Sequence, residues 1–545
     1  MMKIKLKRIA SLCVFLTACL YSAVSLNDAE IDSRAYIVGK QLYTEGLLPN
    51  GDLVKATIQG DITVEGDQLI CETCHRKSGM GSTEGQQVVP AVAGNLLFKP
   101  LKLPITKPPE PPIYREAYNR ETLMAAIRDG IDANGEPLDP FMPRYEISDE
   151  MLDGLMVYLD TLSKTVSPGV TEDTIHFATI VLSSNSDGDN KALLDVMEQY
   201  VLQKNIETRY ESKRAMNAPW HKEWLFKPYR KWQIHTWELK GDKESWPDQL
   251  SEYYRKQPVF ALINGHVPHG WEFVHEFCER ETMPCLFPTT SLPVVDETDF
   301  YTIYLTKGAV HEAEAVASHI TKSLSVRSVT QFIDKSSQLS RVSAASLRME
   351  LNKSGIAIDD VMLEETTEPS KSLSEVDSDS AIVLWLDREK ANKLLSGAGT
   401  LKTSQRIILS TLHYGADSNS IPPEIADTLV FVHTSEMPKS TNKLLMRSTG
   451  WFRTKRIYNP EKKEIQANAY FALKVVGDAI KHIRGYFYRD YFIEKIEHMI
   501  DDLPYTSIYP RISMAPDQRF VSRGYYIAKV DGKGGIRNIT EWIAP

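Results

Sequence analysis

The hydrophobic and polar positions divide the chain into two regions with different patterns. Up to about residue 165, apolar residues recur at helical spacing in three stretches, 33–45, 121–129 and 151–162. The last stretch follows Ser148, a plausible N-cap, with Asp149 and Glu150 in the first turn. Gly39 in the first stretch predicts close packing against another helix. The segment 47–70, rich in glycine, aspartate and β-branched residues, predicts a loop or a small hairpin. The region as a whole predicts a small all-α domain.

After residue 170, short apolar runs alternate with amphipathic helices, which is typical of parallel sheets covered by helices. These runs predict more strands than a single sheet of ordinary size contains, so we expect two α/β lobes. We predict a signal peptide at 1–25, a first domain at 26–165, a linker at 166–170 and the two-lobed domain at 171–545. The predicted strands are 174–182, 233–239, 258–263, 283–287, 302–305, 328–333, 381–386, 406–409 and 428–432.

The N-terminus has the pattern of a secretory signal peptide. Four basic residues precede the apolar run 9–20, and small residues follow it. Two processing sites compete: cleavage before Leu26, which we favour, and a lipobox ending at Cys19, which would leave a lipid anchor there. We therefore expect a periplasmic protein that meets the membrane only through such an anchor.

Composition and charge exclude some partners. The chain of 545 residues is 42% hydrophobic and 25% charged, as in globular proteins with ample core. Its formal net charge is −9, and loss of the basic signal peptide makes the mature chain more acidic. An acidic surface repels phosphate backbones, so we expect no nucleic-acid partner.

The motif Cys71-Glu72-Thr73-Cys74-His75 carries the most specific chemistry. This spacing is read as c-type haem attachment: each thiol adds to one vinyl group, and the histidine ligates the iron. A zinc ribbon would need a second ligand pair, and the sequence contains no second CxxC or CxxH. We predict one covalent haem c, with the carbonyl of Pro90 accepting the His75 Nδ1–H and fixing the ring.

The region around this motif resembles a class I c-type cytochrome, from about Ala29 to Lys164. The resemblance rests on the N-terminal helix, the CxxCH, a Pro-x-x-x-Gly element at Pro90–Gly94 and a Met-Pro loop before the C-terminal helix. It implies that Met142 is the second axial ligand of the haem iron. With both axial positions filled, the iron would transfer electrons rather than bind oxygen.

Cys278 and Cys285 remain once the signal peptide and the haem motif are set aside. An oxidising compartment favours a disulfide between them. The alternative is two separate buried thiols.

The second region resembles a type I periplasmic binding protein of the branched-chain amino-acid-binding kind. The resemblance rests on the 259–266 strand and loop, the helix and strand carrying Cys278 and Cys285, Phe287–Ser291, and the tail 519–526. It implies a ligand cleft between the lobes, with contacts from His269, Thr290, Ser291, and His413 or Tyr414. The alternative is that these are ordinary loop residues.

These observations favour a periplasmic haem protein that transfers single electrons to or from a redox partner protein. The binding-protein-like domain would then serve for docking or for sensing a small-molecule ligand. The alternative is a solute-binding protein of a transport or signalling system with a haem redox sensor. A haem-coupled oxidoreductase is disfavoured because no second redox motif is present, so the sequence favours a carrier or binding protein over an enzyme.

Overall fold

The structure is a computed structural model that describes residues 33–544, apart from 61, 67–68, 85–86, 103–113, 209–229, 269, 297, 365–372, 397–405, 417, 420, 422, 437–442, 484, 503–504, 506, 516–517 and 532–534. The predicted signal peptide and Cys19 lie outside the described residues. The chain forms two compact units, which divide between Val166 and Ser167. No described helix combines the length and the apolar character needed to span a membrane.

The first unit is built from helices joined by short strands. Three of its described helices have nine residues or more, and strands 62–65, 55–58 and 144–145 form a three-stranded sheet in that order. The elements are α1 (33–45), β1 (Lys55–Ile58), β2 (Ile62–Glu65), α2 (Cys71–His75), β3 (Ser82–Glu84), β4 (Gln87–Val89), α3 (Gly94–Leu97), β5 (Leu101–Lys102), β6 (Tyr114–Arg115), α4 (Arg120–Arg128), β7 (Arg144–Tyr145) and α5 (Asp149–Thr161).

The prediction of an all-α domain is therefore incomplete. Strands β1 and β2 pair as an antiparallel hairpin, and β7 adds to it through Ala56 and Thr57. β-Branched residues at Thr57, Ile58 and Ile62 favour this hairpin, because they fit a half-buried pleated surface. Strands β1 and β2 lie in the long connection between the first helix and the CxxCH, where the sequence predicted a loop or a small hairpin.

Helices α1 and α5 cross at two glycines. A Cβ at Gly39 would collide with the carbonyl oxygen of Gly154, and one at Gly154 would lie 2.8 Å from the carbonyl oxygen of Ala35. The rings of Tyr43 and Tyr158 pack beside the crossing, with their centroids 5.4 Å apart. The close helix packing predicted for Gly39 is confirmed.

The N-cap predicted for the C-terminal helix is also confirmed. The Ser148 hydroxyl accepts a hydrogen bond from the backbone N–H of Met151 at 3.3 Å. Asn119 caps α4 in the same way and forms a capping box with Thr122. Local sequence signals therefore set where both helices begin.

The second unit contains two sheets, each covered by helices. The first lobe has the parallel order β12-β11-β10-β8-β9, and the second lobe has the order β14-β13-β15-β16-β17-β18-β19, whose last two strands are antiparallel. The first-lobe elements are β8 (Thr174–Leu182), α6 (Asp187–Thr208), β9 (Lys231–Leu239), α7 (Trp246–Lys256), β10 (Ala261–Ile263), α8 (Glu272–Arg280), β11 (Cys285–Leu286) and β12 (Thr302–Ile303).

The chain then enters the second lobe and later returns to the first. The second-lobe elements are α9 (Ala309–Ser323), β13 (Ser328–Asp334), α10 (Gln338–Lys353), β14 (Ala357–Leu363), β15 (Ser380–Trp385), α11 (Arg388–Ser396), β16 (Arg406–Ser410), α12 (Thr411–Tyr414) and β17 (Leu429–His433). Helices α13 (Lys443–Thr454), α14 (Lys463–His482) and α15 (Arg489–Met499) follow, and β18 (Tyr526–Val530) and β19 (Ile536–Asn538) complete the second sheet.

The prediction of two α/β lobes with parallel sheets is confirmed, and all nine predicted strands are present. Three strands were missed. β14 is an edge strand whose residues are mostly exposed, so it lacks the apolar run of a buried strand. β18 and β19 are short and pair antiparallel at the other edge of the second sheet.

Helices α14 and α15 return to cover the first lobe. Their apolar faces share one core cluster with β8 and β10, which includes Phe260, Phe471 and Phe492. Arg489 is only 5% exposed and anchors α15 to the residues just before β10. Its guanidinium donates to the carbonyl oxygens of Phe260 at 3.0 Å and Val259 at 2.6 Å. The two lobes are therefore joined by three passages of the chain, β12 to α9, β17 to α13, and α15 to β18.

The disulfide predicted between Cys278 and Cys285 is not formed in the structure. Both are free, fully buried thiols in the same apolar cluster of the first lobe. Burial raises the pKa of the Cys278 thiol, and the neighbouring Cys285 thiol raises it further. The two residues act in this structure as small apolar side chains.

Candidate functional site

The CxxCH motif forms α2, a single helical turn beside an apolar cavity of the first unit. The space that protein atoms leave empty is about 1280 Å³, part of it open to solvent. Of the five residues predicted to serve a haem, four line this cavity: Cys71, His75, Pro90 and Met142. Cys74 is exposed on the same turn. The other lining is mainly aliphatic, with Leu42, Leu97, Leu123, Ile127, Leu155 and Leu159.

His75 is held in one orientation by a backbone carbonyl. Its Nδ1 lies 2.9 Å from the carbonyl oxygen of Pro90, which is the hydrogen bond predicted from the sequence. Burial lowers the pKa of His75, so the ring is neutral, and with the proton on Nδ1 the lone pair is on Nε2. Gly81 permits this approach: its φ is 72°, and a Cβ there would collide with the carbonyl of Val89.

Two tyrosines that the sequence did not point to hold the ends of α2. The Tyr43 hydroxyl donates to the carbonyl oxygen of Arg76 at 2.6 Å, and the Tyr145 hydroxyl donates to that of Leu69 at 3.0 Å. The Cys71 thiol lies 3.9 Å from the Tyr145 hydroxyl. Loss of hydration raises the pKa of this thiol to about 11. Tyr43 comes from α1 and Tyr145 from β7, so the motif is fixed by one element that precedes it in the sequence and one that follows it.

Met142 reaches the cavity from a turn just before β7. Its backbone N–H donates to the carbonyl oxygen of Asp139 at 3.0 Å, and the Arg144 guanidinium donates to the carbonyl oxygens of Met142 and Leu138. Gly130 leaves the space that Arg144 occupies. Arg144 therefore shapes the loop that carries Met142, and sequence reasoning missed it.

The residues of this cavity fit a c-type haem. They combine a thiol, a neutral imidazole with one nitrogen committed to a carbonyl, and a thioether, inside an aliphatic lining. Imidazole and thioether are the axial ligands of electron-transfer haems. The structure thus brings together residues that are 67 positions apart in the sequence, His75 and Met142.

A second cavity, the interlobe cleft, lies where loops follow the carboxyl ends of strands in both sheets. His266 follows β10 and Thr289–Ser291 follow β11 in the first lobe, while Thr411 follows β16 and Thr434–Glu436 follow β17 in the second. The empty space is about 1590 Å³, part of it open to solvent. Ligands of α/β proteins bind at such strand ends.

The sequence predicted some of the cleft residues and misplaced others. Thr290 and Ser291 line the cleft. His269 lies outside the described residues. The structure does not bring His413 or Tyr414 into the lining of the cleft, whereas Thr411 and Leu412 of the same turn line it.

Local packing explains where these two side chains lie. His413 Nε2 lies 2.9 Å from the Ser343 hydroxyl oxygen, and its ring packs on Trp385. Tyr414 is buried, and its hydroxyl donates to the Asn392 side chain at 2.8 Å. A helical turn advances about 100° per residue, so position 413 lies about 200° from 411 and points away from it. Tyr414 instead packs into the core of the second lobe, with its ring against Phe431.

The cleft contains a buried carboxyl group that sequence reasoning missed. Glu312, in the first turn of α9, is 2% exposed and lines the cleft. Its Oε1 accepts a hydrogen bond from the Thr434 hydroxyl at 3.2 Å, and its Oε2 has no hydrogen-bond partner among the described residues. Burial raises the pKa of Glu312 to about 7. In the sequence it is one acidic residue in an Ala-rich helix, and no motif singles it out.

No protein-family model matches this chain, and no curated protein matches it in sequence. Solved structures do match. An ABC transporter substrate-binding protein from Sphaerobacter thermophilus is 15% identical, with a TM-score of 0.50 over 68% of this chain and 98% of its own. The leucine-binding protein LivK from Thermotoga maritima is 16% identical over 68% of this chain and 99% of its own, with a TM-score of 0.47.

The second unit has a periplasmic-binding-protein fold. The two lobes, their parallel sheets and the cleft between them are the features that carry this assignment. The comparisons give no support to a cytochrome fold for the first unit, so that assignment stays a prediction.

Proposed function

We propose that this chain is a solute-binding protein whose first unit carries a covalent haem c. The observation that supports the binding role is the interlobe cleft, whose polar groups come from strand ends of both lobes. The matched Sphaerobacter thermophilus protein, which supports the fold, is described as a substrate-binding protein of an ABC transporter. We place the protein in the periplasm, where such a protein meets its solute.

Binding would work by enclosing the solute between the lobes. Hydroxyl groups of Thr290, Ser291 and Thr434 and the carboxyl of Glu312 offer hydrogen bonds from both sides of the cleft. Three passages of the chain join the lobes, so a change in their relative orientation would bend the chain at these passages. A solute that contacts both lobes stabilises the closed arrangement by its differential affinity for it.

In the first unit, Cys71 and Cys74 would attach the haem, and His75 and Met142 would be its axial ligands. The bound haem would supply one-electron redox chemistry. The chain's own contribution is to exclude water with the aliphatic lining and to orient His75 through Pro90. The binding protein would thereby carry a redox group that a transport or signalling system could read.

A second candidate function is electron transfer with a periplasmic redox partner, in which the cleft serves docking or sensing. The observation that favours it is the convergence of His75 and Met142 on one cavity. Two filled axial positions suit electron transfer rather than ligand activation at iron.

A ligand screen on the full-length protein tests the main proposal. All nine tryptophans lie between Trp220 and Trp542, so tryptophan fluorescence reports on the second unit. A solute at a hundredfold excess over its Kd should stabilise that unit by about 2.7 kcal/mol. A broad screen of small solutes in which none raises the unfolding temperature would contradict the binding role and favour electron transfer.

Haem attachment has a separate test. Replacing Cys71 and Cys74 by Ala should remove the haem stain retained after denaturing electrophoresis, whereas Cys278→Ala should keep it. Haem that stays attached in the double variant would show that the attachment site is elsewhere.

A further inference from the structure

We propose that the solute bound in the interlobe cleft is a small organic cation, an amine, whose charged nitrogen is bound by Glu312. This inference rests on the proposed solute-binding function and adds the chemical class of the ligand. Three observations support it: the burial of Glu312, its open oxygen, and the charge of the surrounding cleft.

The Glu312 side chain is placed as a ligand group rather than as a surface carboxyl. It is 2% exposed, so it is almost fully withdrawn from bulk water, and it still forms part of the cleft wall. The helix α9 that carries it packs in the core of the second lobe through Ala313, Val316 and Ile320. Its position is therefore fixed by the fold before any ligand arrives.

Among the described residues, Oε1 of Glu312 has a hydrogen-bond donor and Oε2 does not. The Thr434 hydroxyl donates to Oε1, and the Ser410 hydroxyl and the Thr434 backbone also form hydrogen bonds with the carboxyl. Oε2 is buried and has no hydrogen-bond partner among the described residues. Buried polar atoms are normally hydrogen-bonded, so this oxygen is short of a donor. A ligand N–H would supply one.

The donor is expected to be charged because the described cleft lining is rich in carboxylates. Five carboxyl groups and two lysines contribute to it, and no arginine does; one lysine, Lys462, is already paired with Asp189 at 2.7 Å. The imbalance attracts a cation and repels a ligand carboxylate. An ammonium group on Glu312 would also form the charge-assisted hydrogen bond that is stronger than a neutral one. The carboxyl groups are those of Asp189, Glu312, Glu436, Glu461 and Glu464.

The experiment compares three ligands of equal chain length and different charge: butane-1,4-diamine, butane-1,4-diol and succinate. Each is titrated calorimetrically into the full-length protein at pH 8, and the unfolding temperature of the second unit is followed by tryptophan fluorescence. We expect the diamine to bind at least tenfold more tightly than the diol or succinate.

Variants then assign the charge recognition to Glu312. Glu312→Gln keeps the shape and removes the charge, so it should weaken diamine binding at least tenfold. Glu389→Gln changes an exposed carboxylate of the same unit outside the cleft and should leave the affinity within twofold. The unfolding temperature of ligand-free Glu312→Gln shows whether the variant is folded. If the variant is not folded, the comparison of the three ligands on the unaltered protein tests the preference for a cation.

The outcomes separate this inference from the binding function itself. Tighter binding of the diol or succinate would overturn the cation and leave the solute-binding role standing. Diamine binding that Glu312→Gln does not weaken would also overturn it. If none of the three binds, the wider screen decides. A neutral or anionic hit overturns the cation alone, an amine hit that requires Glu312 supports it, and no hit at all overturns both proposals.

Discussion

The buried Glu312 carboxyl should make the stability of the second unit depend on pH. Its pKa is raised by burial from an ordinary value of 4.5 to about 7. Between these values the folded protein holds a proton that the unfolded chain has released. The free energy of unfolding that Glu312 contributes is therefore full below pH 4.5, falls as the pH rises towards 7, and is constant above that.

The size of this effect follows from the two pKa values. One pKa unit corresponds to about 1.4 kcal/mol, so the full loss of stability is about 3 kcal/mol, and most of it falls between pH 5 and pH 8. His311, the neighbouring buried residue, acts in the opposite direction. Burial lowers the pKa of His311 to about 4, so its neutral form adds stability as the pH rises from 4 to 6.5.

Because these two residues oppose each other, the measurement must be a difference. Urea unfolding of the unaltered protein and of Glu312→Gln, followed by tryptophan fluorescence at pH 5, 6, 7 and 8, isolates the Glu312 contribution. We expect the unaltered protein to lose about 2–3 kcal/mol of unfolding free energy relative to the variant across this range. The difference in unfolding free energy between the unaltered protein and the control variant Glu389→Gln should stay constant over the same pH range. A constant difference for Glu312→Gln as well would refute the reasoning, since it would mean that Glu312 titrates alike in both states.

Three further substitutions test other parts of the structure. Met142→Ala should remove the iron–methionine charge-transfer absorption of the oxidised protein, and survival of that band would rule out Met142 as the axial ligand. Gly39→Ala places a methyl group against the carbonyl of Gly154 and should destabilise the first unit by about 1–3 kcal/mol, measured by circular dichroism in urea. Substitution of its exposed neighbour, Lys40→Ala, should change the free energy of unfolding little. Equal losses of stability for the two variants would contradict the predicted clash. Arg489→Met leaves the buried carbonyls of residues 259 and 260 without their donor, and we expect a loss of about 3 kcal/mol in the second unit by urea unfolding. A loss below about 0.5 kcal/mol would show that water replaces the guanidinium there.

Chemistry that depends on neighbours in the sequence was readable before the fold was known. The CxxCH spacing, the Ser148 cap and the nine apolar strands are local patterns, because a helical turn or a buried strand imposes its periodicity within a few residues. The hydrogen bond from His75 to Pro90 was also predictable, since only 15 residues separate the two. The two-lobed architecture followed from the number of such strands.

Only the tertiary structure decided which distant side chains meet in the cleft. Glu312 lies in an unremarkable Ala-rich helix, and its significance comes from burial against Thr434, 122 residues further along the chain. The resemblance to binding proteins implied that His413 or Tyr414 contacts a ligand in the cleft, yet packing within the second lobe directs His413 towards Ser343 and Tyr414 towards Asn392. Sequence patterns determine the elements, because those depend on local periodicity. The direction of a side chain from the end of an element depends on the packing of the whole lobe.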